Sequence, residues 1–193
     1  DYIPLDMLPK HLPDAVLATE DRRFYDHAGI DVLGLFRALL ANLRAGRTVQ
    51  GGSTITQQLA KNLFLKPDRD IARKIEEVLI SFWLESRLSK AEILELYLNR
   101  VYFGAGAHGV ESASQRYFGK SARNVSLAEA AVLAGLLKAP SKFSPLGNPG
   151  LARSRARVVL KKMSEAGVID AAKARTAAAH SVQFEMSRPS KHV

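Results

Sequence analysis

The chain has 193 residues, 47% of them hydrophobic, and a formal net charge of +9, enough material for one well-buried core. The absence of cysteine excludes a disulfide framework and a thiolate metal site. No apolar run approaches the roughly 18 to 20 residues of a membrane span.

Hydrophobic spacing and local start signals predict helices over 14–25, 32–45, 54–64, 70–88, 90–101, 109–117, 127–137, 151–165 and 171–179, with almost no strand signal. The expected class is therefore mainly α. Pro13 and Asp14 open the first helix, which puts Leu17, Glu20 and Phe24 on one face. Glu20 is thus expected as a carboxylate among apolar neighbours, where partial desolvation would tune it toward general acid or base work. As an isolated feature it reads equally as a surface glutamate in the charged turn Glu20-Asp21-Arg22-Arg23. In the second helix Val32, Leu33, Leu35, Phe36, Leu39, Leu40 and Leu43 cover more than one narrow face, which fits either a buried core helix or a helix facing lipid.

The segment Gly51 to Asn62 concentrates glycines, hydroxyls, amides and a lysine within twelve residues. Gly51 and Gly52 let the backbone approach a ligand, and Thr54 with Gln57 forms a capping box that opens a helix. A helix start of this kind favours anions, and Gln57, Gln58 and Lys61 fall within the next turn. Further on, Arg69, Arg73 and Glu77 recur every four residues beside Lys74. The same helix carries Ile71, Ile75, Val78, Leu79 and Phe82 as its expected buried stripe. Guanidinium forks suit phosphate oxygens, although Arg73 with Glu77 alone reads as a surface ion pair.

Ser89 with Glu92 and Ser126 with Glu129 are further capping boxes, while Gly46 and Gly167 suit helix ends. Gly104 to Gly109 matches the spacing of a dinucleotide fingerprint. The segment before it is a capped helix rather than a strand, so it reads as a tight turn between helices. Five scattered histidines give no metal-ligand spacing, and no S-x-x-K or K-T-G transpeptidase motif is present.

Taken together, the motifs resemble the peptidoglycan glycosyltransferases of glycosyltransferase family 51, found as a domain of class A penicillin-binding proteins and as monofunctional relatives. The match lies in E-D-x-x-F-x-x-H-x-G at Glu20 to Gly29, G-G-S-T-I-T-Q-Q at Gly51 to Gln58 and R-K-x-x-E at Arg73 to Glu77. It continues in Tyr97 to Gly106 and in Leu127 to Ala131 running to Ser141. The resemblance implies a lysozyme-like helical lobe with a smaller membrane-facing jaw lobe. The glycosyltransferase domain is then expected over 1–180, with the jaw over about 32–68 and Arg37, Arg44 and Arg47 near lipid head groups. Residues 181–193 would be a tail or linker toward a missing domain, or equally the end of a monofunctional enzyme.

The implied reaction polymerises lipid II into β-1,4 glycan strands with inversion and release of undecaprenyl pyrophosphate. The implied sites are Glu20 as base and Glu77 as second carboxylate, with Lys61, Arg69, Arg73 and Lys74 on the pyrophosphate. Ser53, Thr54, Gln57, Gln58 and Asn62 would position substrate, with Asp21, Phe24, His27, Gly51 and Gly52 in support. No cofactor is strictly required; Mg²⁺ or Mn²⁺ against the pyrophosphate fits an oxygen-rich site. Expected partners are lipid II, the growing lipid-linked strand and the membrane surface, and the phosphoglycolipid moenomycin would compete at the same cleft. The outer face of the bacterial cytoplasmic membrane is the implied location. The chain, beginning at Asp1, is expected to be a piece of a longer protein with a transpeptidase domain and a transmembrane anchor.

Charge placement agrees with a membrane partner. Residues 1–32 carry three basic and seven acidic groups, and 146–193 carry nine basic and three acidic. Basic charge also suits nucleic acid, but no zinc-finger spacing, basic zipper or aromatic RNA-binding signature is present. Two rivals remain at this level. A lytic transglycosylase or lysozyme-like hydrolase would cleave polymer and need no pyrophosphate cations. A non-catalytic basic module would not depend on Glu20.

Overall fold

A computed structural model describes residues 2–47, 51–65 and 71–185. Ten α-helices lie in these segments: α1 (His11–Glu20), α2 (Val32–Ala45), α3 (Ile55–Phe64), α4 (Ile71–Arg87), α5 (Lys90–Arg100), α6 (Val110–Phe118), α7 (Leu127–Leu136), α8 (Pro140–Phe143), α9 (Pro149–Glu165) and α10 (Ala171–Ala179). Among the described residues there is no strand, only an isolated bridge between Tyr102 and His108. The mainly α class expected from the sequence is the one observed. The chain divides into two compact units, Asp1–Glu20 with Leu98–Val193 and Asp21–Tyr97.

The first unit is built on α7, whose residues Ala128 and Ala130 to Leu136 are buried on every side. A helix apolar all round belongs in a core, and α1, α6, α9 and α10 pack against it. Leu12, Ala15 and Val16 come from α1, and Val159, Leu160 and Met163 from α9. The capping box of Ser126 and Glu129 opens α7, and the Asn148 side chain accepts from Leu151 N at 2.9 Å to open α9. At the N-terminal end Ile3 exchanges two hydrogen bonds with the Asn99 amide, at 2.9 and 2.8 Å. Residues 181–185 lie along this unit. Arg153 Nη2 donates to Val182 O at 3.1 Å, Phe184 stacks on Phe118 at 6.2 Å, and Glu185 N donates to Tyr117 O at 2.8 Å.

Two expectations are corrected by local physics. The first helix runs from His11 to Glu20 rather than 14–25. Pro13 sits inside its first turn, where a missing N–H costs nothing. The chain leaves the helix after Glu20 because Asp21 is drawn into other bonds, so Phe24 falls in a separate 3₁₀ turn and does not extend a face with Leu17 and Glu20.

In the second unit α3 packs on α4. Of the expected buried stripe of α4, Ile71, Ile75, Leu79 and Phe82 are exposed and Val78 is half-buried; Trp83 is exposed as well, while Glu77, Ser81 and Leu84 are buried. On α2 only Ala38 is buried, and Val32, Leu33, Leu35, Phe36, Leu39, Leu40 and Leu43 are exposed, so α2 is not a core helix. Periodicity located these faces correctly but could not say which side meets the protein.

The segment from Gly104 to Gly109 is a turn between α5 and α6, as read. Gly106 and Gly109 both have positive φ, at 79° and 81°. A Cβ on Gly109 would meet Asn99 O at 2.5 Å, whereas one on Gly106 meets nothing within 4 Å. Both alanine variants carry a backbone penalty of about 1 to 2 kcal/mol. Gly109→Ala adds a collision with main chain, so its loss of stability in urea denaturation should exceed that of Gly106→Ala, and equal losses would refute the close approach.

Candidate active site

The site begins where the chain leaves α1. Asp21 is buried and accepts from Ile55 N, at the first turn of α3, at 3.0 Å. Both its oxygens lie 2.9 Å from His27 Nε2. Gly29 N donates to His27 Nδ1 at 3.2 Å, which leaves the ring proton on Nε2, pointing at Asp21. A carboxylate at a helix N-terminus gains from the helix dipole as well as the bond.

Thr54 closes the same structure from the other side. Its hydroxyl donates to Gly29 O at 2.6 Å and accepts from Gln57 N at 3.1 Å, while Gln57 Oε1 accepts from Thr54 N at 2.9 Å. The predicted capping box is therefore present. Gly29 adopts φ 98°, and a Cβ there would press on the Ser81 backbone of α4 at 3.3 Å. The loop 21–29 is thereby pinned to the start of α3 and the side of α4. Phe24 is buried with Lys90 Nζ 4.3 Å above its ring, and Lys90 and Thr56 share Glu85 Oε1, each at 2.7 Å.

On this frame stand the polar groups predicted to bind substrate. Lys74 Nζ pairs with Glu77 and donates to Ser53 Oγ at 3.2 Å, joining three of the predicted residues. Glu77 is buried although it is ionisable, and its helix neighbour Ser81 donates to its carbonyl at 2.6 Å. Lys61 and Asn62 are exposed near the end of α3, and Arg73 is half-buried on α4. Gln57 is buried in the capping box, and Gln58 Oε1 accepts from Tyr97 OH at 2.9 Å. Gly52 lies against α2, where a Cβ would fall 2.6 Å from Leu35 Cδ1; Gly51 is open. Arg69 lies outside the described residues.

Glu20 belongs to the first unit and is half-buried at the last position of α1. Its charged surroundings come from residues that the motif reading did not single out. Lys162 Nζ donates to Thr19 O at 3.4 Å, and Arg155, one of the cations acting on Glu20, lies two turns earlier on α9. The same helix also carries Arg153, Arg157 and Lys161, so spacing in the sequence does not single out Arg155 and Lys162. Among the described residues no three His, Asp or Glu side chains converge as metal ligands.

The comparisons agree with these motifs. A family model described as transglycosylase matches residues 1–164. The chain is similar to penicillin-binding protein 1A of Aquifex aeolicus, 53% identical over 168 residues that make up 87% of this chain and 23% of that protein. A putative transglycosylase of Cupriavidus necator is 49% identical over 169 residues, which cover 88% of this chain and 73% of the relative. Among solved structures, penicillin-binding protein 1A from Haemophilus influenzae matches with a TM-score of 0.60 at 26% identity, over 97% of this chain and 18% of that one. The chain thus spans less than a quarter of the penicillin-binding proteins named here and most of the shorter transglycosylase.

Replacing Asp21 by alanine strands two buried groups, the Ile55 N–H and the His27 ring. At about 1 to 3 kcal/mol for each stranded group, Asp21→Ala should lower unfolding free energy by roughly 2 to 6 kcal/mol in urea titration. Asp26→Ala, on an exposed acid of the same loop, should change it by less than about 0.5 kcal/mol. Equal effects would refute the pinning role of Asp21.

Proposed function

Because the chain belongs to the transglycosylase family, the peptidoglycan glycosyltransferases, we propose that it polymerises lipid II into β-1,4 glycan strands with inversion and release of undecaprenyl pyrophosphate. The observation that carries this reading is the composition of one unit. Residues 21–97 bear both cations suited to phosphate, Lys61, Arg73 and Lys74, and the exposed apolar faces of α2 and α4. A lipid pyrophosphate needs both. A soluble glycan polymer, the substrate of the hydrolase alternative, needs neither.

In this mechanism Glu20 takes the proton from the acceptor 4-hydroxyl as its oxygen attacks the anomeric carbon of the donor. General base catalysis of this kind contributes about 10² to 10⁴ in rate. The bond from the anomeric carbon to the pyrophosphate breaks on the opposite face, which inverts the centre. Negative charge gathers on the leaving oxygens, so cations placed there stabilise the transition state more than the ground state. Lys61, Arg69, Arg73 and Lys74 supply that charge. Glu77 holds Lys74 in place, and Ser53, Gln58 and Asn62 orient the sugar and phosphate groups. Asp21, Phe24 and His27 brace the loop that follows the base.

A divalent ion, if used, would take most of its oxygens from the pyrophosphate, because Glu77 offers a single carboxylate already paired with Lys74. Residues 1–180 act as the glycosyltransferase domain, with 32–68 as the membrane-facing jaw. The rest of the full-length protein carries a transpeptidase domain and an anchor, and the enzyme works at the outer face of the cytoplasmic membrane. No helix among the described residues is long and apolar enough to cross a membrane. Docking on the surface therefore falls to α2 and α4.

Fluorescent lipid II incubated with the protein, with and without Mg²⁺, should yield a ladder that muramidase digests. Glu20→Gln should abolish the ladder while the fold is kept, and normal polymerisation by that variant would remove Glu20 from the mechanism. Lys61→Ala should lower kcat by at least about 10-fold, since an interaction made mainly in the transition state is lost. Sedimentation with anionic lipid vesicles checks the jaw separately: Phe36→Asp with Leu39→Asp should release the protein, and undiminished binding would place the membrane contact elsewhere.

A further inference from the structure

A cavity of about 190 Å³ opens within the first unit, between α7, α9, the end of α10 and residues 180–182, and takes no part in the mechanism above. Its walls are of two kinds. Ala128 and Val132 of α7 with Ala156 and Leu160 of α9 form a buried apolar floor. Half-buried Arg153 and exposed Arg157 and His180 supply the basic groups, and among the described residues no carboxylate lines it. Arg153 and Arg157 are one turn apart, so both stand on the same side of α9. That side lies about half a turn round the helix from Lys162, which reaches the Thr19 carbonyl. The cavity therefore opens away from the end of α1 that bears Glu20.

Arg153 is the group that the fold bonds incompletely. Its Nη2 donates to Val182 O at 3.1 Å, and its guanidinium lies 5.1 Å from the centre of the Phe184 ring. Its Nε is buried and has no hydrogen-bond partner. A buried guanidinium N–H without an acceptor is costly, and a carboxylate is an acceptor whose geometry a guanidinium fork matches. No ion pair among the described residues involves Arg153, Arg157 or His180. Arginines beside the end of α10 also answer that helix's dipole, but this reading gives the Arg153 Nε no acceptor and the apolar floor no role.

We propose that this cavity binds a small carboxylate bearing a short apolar group, with the carboxylate on Arg153 and Arg157 and the apolar group on Ala128, Val132, Ala156 and Leu160. A free short-chain acid and the C-terminal residue of a peptide share this chemistry. At roughly 30 Å³ per water the volume equals about six waters, which suits such a ligand and is small for a sugar or a nucleotide. Bare phosphate would satisfy the arginines and leave the floor unused. Arg153 also holds Val182, and Phe184 beneath it stacks on Phe118. A ligand that fixes the Arg153 guanidinium thereby fastens residues 181–185 to the first unit.

The test is an NMR titration of the isotope-labelled protein with butyrate, followed at the backbone amides of residues 177–182. Saturable shifts are expected, with a Kd on the order of 1 to 10 mM for a ligand of about six non-hydrogen atoms. Butyramide, which has the same shape without the charge, should give none, and inorganic phosphate should bind at least about ten-fold more weakly than butyrate. N-acetylalanine separates the two sources: tighter binding than butyrate marks a peptide C-terminus, weaker binding a free acid. Arg153→Met should abolish the shifts. Should that variant release residues 181–185 or fail to fold, Arg157→Gln at an exposed position decides, with an expected loss of affinity of about ten-fold. Butyrate should also slow hydrogen exchange at Glu185, whose N–H donates to Tyr117 O at 2.8 Å, and unchanged exchange would overturn the fastening of this segment. No saturable shift in the unsubstituted protein, an equal response to butyramide, or phosphate binding as tight as butyrate would overturn the site and leave the arginines with the α10 dipole.

Discussion

The second unit depends on the buried carboxylate of Asp21. It ties the loop after α1 to the first turn of α3 and to His27, and His27 in turn receives Gly29 N. Thr54 completes the ring through Gly29 O and its capping box. Such a closed set of short bonds leaves few buried donors without acceptors, which is the condition for a polar cluster to stiffen a site rather than weaken it. Because α3 also carries Lys61, and α4 carries Arg73, Lys74 and Glu77, the ring sets the starting point of α3 and braces α4 beneath the cations.

Against that ordered polar frame, α2 and α4 expose their apolar faces. In water this arrangement is unfavourable: each large side chain left exposed forgoes about 1.5 to 3 kcal/mol of burial. Large apolar side chains exposed together along a helix mark an interaction site. The buried residues of α4 include Glu77 and Ser81, so the polar side of the helix is turned toward protein and the apolar side away from it. Apolar surroundings are those in which that orientation lowers free energy.

Much of this was legible in the sequence. Capping boxes at Thr54 and Ser126, the glycine turn before α6 and the extents of α2, α9 and α10 follow from local chemistry, and local chemistry is what a short window contains. The end of α1 was not legible, because it is decided by Asp21 reaching Ile55, thirty-four residues away. The face of α4 was misjudged for a related reason: the pattern gives a stripe but names no solvent, and the usual inference assumes that the outside is water. The motifs carried the predicted site residues as local patterns, whereas Lys162 reaches the Thr19 carbonyl across more than a hundred residues, a contact that no short window contains.

Glu20 and Asp21 are adjacent carboxylates with opposite environments, and the difference follows from where the helix stops. The buried Asp21 carboxylate is engaged by the His27 imidazole and by the Ile55 N–H. Glu20 keeps the last helical position and is half-buried. The break in α1 therefore separates the two neighbours: the Asp21 carboxylate ties the following loop to the start of α3, while Glu20 stays half-buried at the last position of α1.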